Sequence, residues 1–407
     1  MPCEVDLSTV LTVRPRTLAC PITRMDVAGA FGDIGVLFPI AIALISLNRL
    51  NPTAVFLAAG LTYVFAGLYF QIPISVQPLK AVAAIALAMG LPPSAIASAG
   101  VLMGILLALV GITNSAGWIA KLFTLPIVRG IQLGLGLLLA REGFRLIFRQ
   151  QPAFVFSNGI CVSGWEIALA AALLMLACRT SKRYPAALIL LIAGLGLGLL
   201  TQWGKLNWVW GPVPLTFLHP HMDEMWRVLP LLVIPQFALT FGNSIVATEN
   251  TAQILYGPQA RRVTIRGLCL SIALVNLVSG LIQAAPLCHG SGGITAHNKF
   301  GARTPASSYV IGGVCLVLAL LGRSATSVLH LIPLGILGTF LVYVGLQHAA
   351  YLRDIPRRFP LLLIAVSVGV VSFVTTNLMW GFLTGFAVQG LLLAFEKPVS
   401  TSKCKEL

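Results

Sequence analysis

Apolar runs of about 20 residues recur from residue 27 to residue 395, separated by short polar joints. In lipid no water is present to satisfy the backbone, so runs of this length must fold as helices that bond within themselves. The rest of the sequence agrees. Only 10% of the 407 residues are charged and 57% are hydrophobic, with a mean hydropathy of +0.91, whereas soluble domains carry about a quarter charged residues to wet their surface. No stretch is left for a sizeable soluble domain. The expected fold class is an all-α polytopic membrane protein.

The runs predict fourteen segments, near 27–47, 53–72, 77–90, 93–112, 126–147, 162–179 and 185–202, then 228–248, 265–284, 288–300, 306–322, 326–349, 359–376 and 378–395. Two of them, 77–90 and 288–300, are too short and too broken to cross alone. Residues 1–26 carry Arg14, Arg16 and Arg24 without a continuous apolar core, which predicts a cytoplasmic tail in place of a cleaved signal peptide. Residues 203–227 form a linker with four of the seven tryptophans, expected to lie at the interface and to be partly helical. Residues 396–407 are expected to form a second cytoplasmic tail.

The formal net charge of +15 would suggest nucleic acid for a soluble protein; here it follows the rule that basic residues collect in cytoplasmic loops. With the N-terminus inside, 18 basic residues fall on cytoplasmic segments and 7 on outside ones, leaving Lys80 and Arg129 within spans. An inner (plasma) membrane protein with both termini cytoplasmic is expected, with the lipid bilayer as its surroundings and no nucleic-acid partner. The awkward segment is 141–149, which places Arg141, Arg145 and Arg149 outside. The eight cysteines show no CxxC or Cys/His spacing, so neither a disulfide framework nor a metal site is expected. His219, His221, Asp223 and Glu224 read better as a wet loop than as metal ligands. No cofactor is expected.

The two halves echo each other. Phe31-Gly32-Asp33 returns as Phe241-Gly242-Asn243, Gly67 and Pro73 as Gly280 and Pro286, and Leu125-Pro126 as Ile332-Pro333, at offsets between 207 and 213. Seven spans is an odd number, so the second copy must be inverted, and inverted repeats are a carrier architecture.

Two interrupted segments stand at matching places in these halves. One is Gln71-Ile72-Pro73-Ile74-Ser75-Val76-Gln77-Pro78-Leu79-Lys80; the other is Pro286-Leu287-Cys288-His289-Gly290-Ser291-Gly292-Gly293. Proline removes a donor and glycine weakens helical order, so both should be extended before a helix resumes. Unwound backbone at membrane depth borders either protein or a water-filled cavity. Two helix starts meeting there would present unpaired amides and a partial positive charge of roughly half a unit each to an anion. Gly290, Gly292 and Gly293 allow close approach, Ser291, His289 and Gln77 can donate hydrogen bonds, Pro78 suits a first helical turn, and Lys80 adds a formal cation. Asp33 and Glu249 are carboxylates in apolar segments, so function is the default reading: proton carriers, or counter-ions for Lys80. Asn243 and Gln236 are polar within a span; either bonds between helices or, for Asn243, faces the same substrate.

The strings SVQPLKAVAA, PQFALTFGNSIVAT and CHGSGGITAHNKFGART together resemble the molybdate transporter family, a small relative of the sulfate permeases. The resemblance implies the fourteen-helix fold, as a 7+7 inverted repeat, shared with sulfate permeases and uracil permease. A core domain (27–112 with 228–322) would carry substrate against a gate domain (126–202 with 326–395). Carried over by motif, Gln77, Lys80, His289, Gly290, Ser291 and Gly292 would bind it. Two positions depart from the pattern: Pro305, where glycine is expected, and Glu249, where relatives are more often apolar.

The function expected is import of a tetrahedral oxyanion, molybdate first and sulfate second, by alternating access with proton coupling as an option. An organic-anion or nucleobase carrier on the same scaffold is a further alternative. An anion channel or a membrane sensor is the alternative from another class. No nucleophile–base constellation points to an enzyme, and a homodimer is left open.

Overall fold

A computed structural model describes residues 22–119, 123–149, 154–155, 161–178, 186–202, 208–356 and 358–395. The first half contains α1 (Arg24–Ala30), α2 (Ile34–Asn48), α3 (Pro52–Phe70), strand β1 (Gln77–Pro78), α4 (Lys80–Met89), α5 (Pro93–Thr113) and α6 (Ala116–Ile119). It continues with α7 (Leu125–Arg149), β2 (Phe154–Val155), β3 (Cys161–Val162), α8 (Gly164–Cys178) and α9 (Ala186–Gln202). The second half contains α10 (Met222–Val228), α11 (Ile234–Leu239), α12 (Ala247–Tyr256), α13 (Ile265–Leu281), β4 (Leu287–Cys288) and α14 (Ser291–Lys299). It ends with α15 (Ala306–Leu320), α16 (Gly322–His330), α17 (Leu334–Ala350), α18 (Phe359–Thr375) and α19 (Leu378–Phe395).

Local chemistry sets many of these boundaries. Thr23 and Asp26 form a reciprocal capping box at α1. Asn51 caps α3, with Pro52 in its first turn, and Thr264 caps α13, each satisfying an amide that the first turn leaves open. Gly90 ends α4 in the left-handed region at φ +62°, which glycine enters without steric cost.

Both predicted breaks are present: a short strand precedes a short helix at 77–89 and again at 287–299. The Phe31–Asp33 echo is a 3-10 turn between α1 and α2, and its counterpart lies in a π-helical stretch, Thr240–Val246, between α11 and α12. Two differences from the sequence reading have local causes. The helix expected at 228–248 starts within the linker and runs from Met222 to Ala260, its register absorbed by π turns at Leu229–Val233 and Thr240–Val246. The helix expected at 326–349 is split into α16 and α17 at Pro333, whose ring denies the backbone a donor. Glu224 ties the linker down, accepting from Ser94 Oγ at 2.8 Å and Ser98 Oγ at 3.2 Å.

Among the described residues, four helices are long and apolar enough to cross a membrane, or six when each of two bent pairs is one span. The other helices are shorter or, like α7, carry several charges.

The helices pack as two bundles. In the first, α5 lies on α13, α3 on α15, and α12 on α14; in the second, α7 lies on α17 and α18, α18 on α19, and α17 on α8. The α7–α17 crossing is close enough that a Cβ on Gly136 would meet the Gly345 carbonyl and one on Gly345 the Gly136 carbonyl, with Gly143 and Gly338 paired the same way. Small residues let membrane helices approach like this. The bundles meet where α4 packs on α7 and α2 on α17.

Candidate functional site

The two interrupted segments touch. β1 pairs antiparallel with β4, Gln77 opposite Cys288 and Pro78 opposite Leu287, and Leu79 N–H donates to the Pro286 carbonyl at 2.8 Å. Extended backbone is thus satisfied within the protein, as an unwound stretch inside a membrane-spanning chain requires. Buried side chains brace the pair. Asn276 donates to the Leu287 carbonyl at 2.7 Å and accepts from Leu287 N–H at 3.0 Å. Ser75 Oγ donates to the Gly290 carbonyl at 2.7 Å and accepts from Gly290 N–H at 3.0 Å.

His289 belongs to this bracing. Its Nδ1 lies 2.9 Å from the Ser75 carbonyl and its Nε2 2.9 Å from Ser271 Oγ, with only 1% of the residue exposed. Both ring nitrogens are engaged by protein, so the imidazole holds the two breaks together from behind.

A cavity of about 610 Å³ lies in front of the contact, between the two bundles, within the range of about 300–1,000 Å³ typical of small-ligand sites. Of the residues singled out in the sequence, Gln77, Lys80, Asn243 and Gly292 line it. Ser291 sits one step back, its Oγ donating to Asn243 Oδ1 at 3.3 Å. Pro78, Gly290 and Gly293 shape the backbone without lining the cavity. A Cβ on Gly290 would come 3.0 Å from Gln77 Oε1, whereas one on Gly292 would meet nothing nearer than the Tyr351 hydroxyl at 3.9 Å. Gly292 therefore opens the start of α14 to the cavity.

The two helix starts differ in what they offer. At α4, the amides of Ala81 and Val82 donate to Gln236 Oε1 at 2.7 and 3.3 Å, and Gln236 is itself held by Thr240 at 2.8 Å. The sequence reading had both helix starts gripping the anion through amides; at α4 a side chain has taken them. Lys80, the first residue of α4, supplies charge instead. A cation at the positive end of a helix is the unfavourable arrangement, and an anion in the cavity reverses its sign. At α14, Gly293 and Ile294 N–H return to the Gly290 carbonyl. The Ser291 and Gly292 amides have no protein acceptor among the described residues, leaving donors for an anion.

Of the two carboxylates, Glu249 lies elsewhere. Glu249 accepts from Ile265 N–H at 3.1 Å, at the first turn of α13, and does not line the cavity. Asp33 sits in the 3-10 turn beside Gly32, a cavity-lining residue; its side chain lies outside the described residues. Pro305 is the N-cap residue of α15, away from the cavity lining.

The second bundle supplies residues that sequence reasoning passed over. His348, Tyr351 and Asp354 line the cavity opposite Gly292. Asp354 pairs with Arg129 at 2.7 Å, and the Arg129 guanidinium stacks 4.9 Å over the Tyr351 ring. His348 is 4% exposed, and its Nδ1 is buried without a hydrogen-bond partner. A signal for the ion pair was available: a charge inside a span needs a partner, and Arg129 was one of only two in-span cations.

The chain has relatives whose names state a cargo. It is 28% identical to Molybdate transporter 2 of Arabidopsis thaliana, over 90% of this chain and 87% of the relative. It is 26% identical to Molybdate transporter 1 of Chlamydomonas reinhardtii, over 96% of both chains. Among solved structures, it resembles the transmembrane domain of a cyanobacterial bicarbonate transporter, BicA, with a TM-score of 0.64 at 18% identity, covering 89% of this chain and 96% of that one. The murine anion transporter Slc26a9 in its inward-facing state matches with a TM-score of 0.67 at 16% identity, over 97% of this chain and 73% of that one. At such identities the likeness concerns the fold. The family model described as molybdate transporter of the MFS superfamily matches residues 25–139 and 229–347, which include both breaks, Lys80, Asn243 and Gly292. With more than half of its length so matched, the chain belongs to the molybdate transporter family.

Proposed function

We propose that this protein is a secondary carrier that moves molybdate across its membrane by alternating access. The observation that carries the reading is the cavity where the two broken helices meet, with Lys80 on one side and, on the other, the Ser291 and Gly292 amides, which have no acceptor among the described residues. A tetrahedral dianion has four acceptor oxygens and no donor, so it matches a site built from a cation and N–H groups. The first bundle serves as the core that carries substrate and the second as the gate. The repeated order of elements supports seven spans in each half, the second inverted, with α4 and α14 as half-spans.

The cavity is lined at one end by Lys299, Arg353 and Asp354, on segments that the charge count assigns to the cytoplasm. Beyond Lys80 the seam along α4 is closed by the buried apolar residues Ala81 to Leu87, which corresponds to an inward-open carrier. Proton coupling draws its support from Asp33 alone, because Glu249 is engaged at α13.

Radiolabelled molybdate uptake by purified protein in proteoliposomes tests the reading, with tungstate, sulfate and uracil as competitors. Saturable uptake, blocked by tungstate and weakly by sulfate, is expected. Block by uracil alone contradicts the oxyanion site, and currents beyond a carrier's turnover contradict alternating access. Faster uptake on acidifying the outside is the result expected for coupling; indifference to the proton gradient removes it.

A further inference from the structure

Arg141, Arg145 and Arg149 stand at four-residue intervals at the end of α7, hence along one face of the helix. They are the main exception to the placement of basic residues on the cytoplasmic side. Arg141 is engaged locally, donating to Thr376 at 3.2 Å and stacking 5.6 Å from Phe373. Arg145 and Arg149 instead join Arg49 in lining a second cavity, of about 970 Å³. Glu142 is the only carboxylate in that lining among the described residues, and it is shared between Arg141 and Arg145 at 3.8 Å each. The lining is therefore net cationic.

Its position gives that charge a purpose. Lys80 at the start of α4 borders the first cavity, while Met89 and Gly90 at its end border the second. Ten residues of helix separate the two by about 15 Å. Between them Ala81 to Leu87 are buried, and α4 packs on α7, where Ile131, Leu135, Leu138 and Leu139 are fully buried. The cavities thus lie at opposite ends of one core–gate seam, closed in the middle by apolar side chains. Asn48 fixes the far end, donating to the Ala86 and Leu91 carbonyls at 2.8 and 2.9 Å.

We propose that the second cavity is the capture vestibule for the same oxyanion on the opposite membrane face, with Arg49, Arg145 and Arg149 as its ligands. The proposal rests on the oxyanion-carrier reading. A cationic cleft with low-dielectric walls raises the local concentration of an anion, and salt weakens that attraction. A phospholipid phosphate offers the same chemistry, and the test separates the two sources.

The test compares wild type with Arg145→Gln/Arg149→Gln and with Arg49→Gln in proteoliposomes, measuring initial molybdate uptake at low and high ionic strength. Thermal unfolding and equilibrium molybdate binding in detergent serve as controls for the fold and the central site. The vestibule predicts a roughly five- to tenfold rise in KM at low ionic strength with kcat unchanged, and a much smaller difference in high salt. The same effect should appear in neutral phosphatidylcholine and in vesicles containing phosphatidylglycerol. Unchanged KM and salt dependence, with wild type transporting, overturn the vestibule alone. An effect confined to phosphatidylglycerol vesicles overturns it in favour of a lipid site. Absence of oxyanion uptake by wild type removes the carrier reading and the vestibule with it.

Discussion

At the start of α4, Gln236 accepts hydrogen bonds from the Ala81 and Val82 amides, whereas at the start of α14 the Ser291 and Gly292 amides have no protein acceptor among the described residues. The two breaks fall at matching places in the two halves and pair with each other as strands. What they present to the cavity differs. α4 brings a lysine and a helix start already capped by a side chain; α14 brings bare backbone, opened by a glycine whose missing side chain would point into space. In the proposed carrier the two halves of the site would therefore divide the work. One would supply formal charge, and the other directed donors at fixed geometry.

Removing the charge should have the largest effect. Lys80→Ala is expected to lower molybdate affinity by roughly 10- to 150-fold, the size of a charge-assisted hydrogen bond of about 1.5–3 kcal/mol. Lys80→Arg should recover only part of it, because a planar fork does not replace a compact ammonium. Initial uptake rates against molybdate concentration measure both. Affinity within twofold of wild type in Lys80→Ala would remove α4 from the site.

Covering the donors should come second. Gly292→Ala adds a Cβ that meets only Tyr351 at 3.9 Å, so the unfolding temperature should hold while affinity drops about tenfold, near 1.4 kcal/mol. A variant that binds normally would mean the α14 amides are not ligands.

The capped helix start gives the sharpest contrast. Gln236→Ala frees the Ala81 and Val82 amides and should cost about 1 kcal/mol of stability, as loss of an N-cap does. Molybdate affinity should change by less than about threefold, since uncapping removes no substrate donor and loses little beyond the cap. A loss matching that of Gly292→Ala would make Gln236 a ligand and the division of labour wrong.

The smallest effect is expected at Glu249. Glu249→Gln keeps an acceptor for Ile265 N–H, so uptake and its response to a proton gradient should stay within about twofold of wild type, a single helix-terminus charge being worth less than about 1 kcal/mol. Loss of the gradient response in this variant would restore Glu249 as a coupling residue.

Much of this architecture could be read from residues. Proline and glycine at 73–78 and 286–293 act through the local backbone, so both breaks and the helices they precede were legible to within a few positions. Lys80 was legible because a cation inside an apolar run is costly wherever it sits. What could not be read depends on partners distant in sequence. Gln236 caps α4 from 155 positions away, His289 turns toward Ser75 and Ser271 instead of the cavity, and Glu249 reaches a helix start sixteen residues on. A polar residue in an apolar run announces that it needs a partner without saying which. His348 and the Arg129–Asp354 pair were missed for a related reason. They lie on the opposite bundle, and only packing brings them to Gly292.

Tungstate, a heavy tetrahedral dianion, can be located by its anomalous scattering in crystals of the purified protein. The account predicts its strongest peak in the 610 Å³ cavity, within hydrogen-bond reach of the Ser291 and Gly292 amides and of Lys80 Nζ. A strongest peak outside that cavity, or one bound in it by groups other than these, would contradict the account.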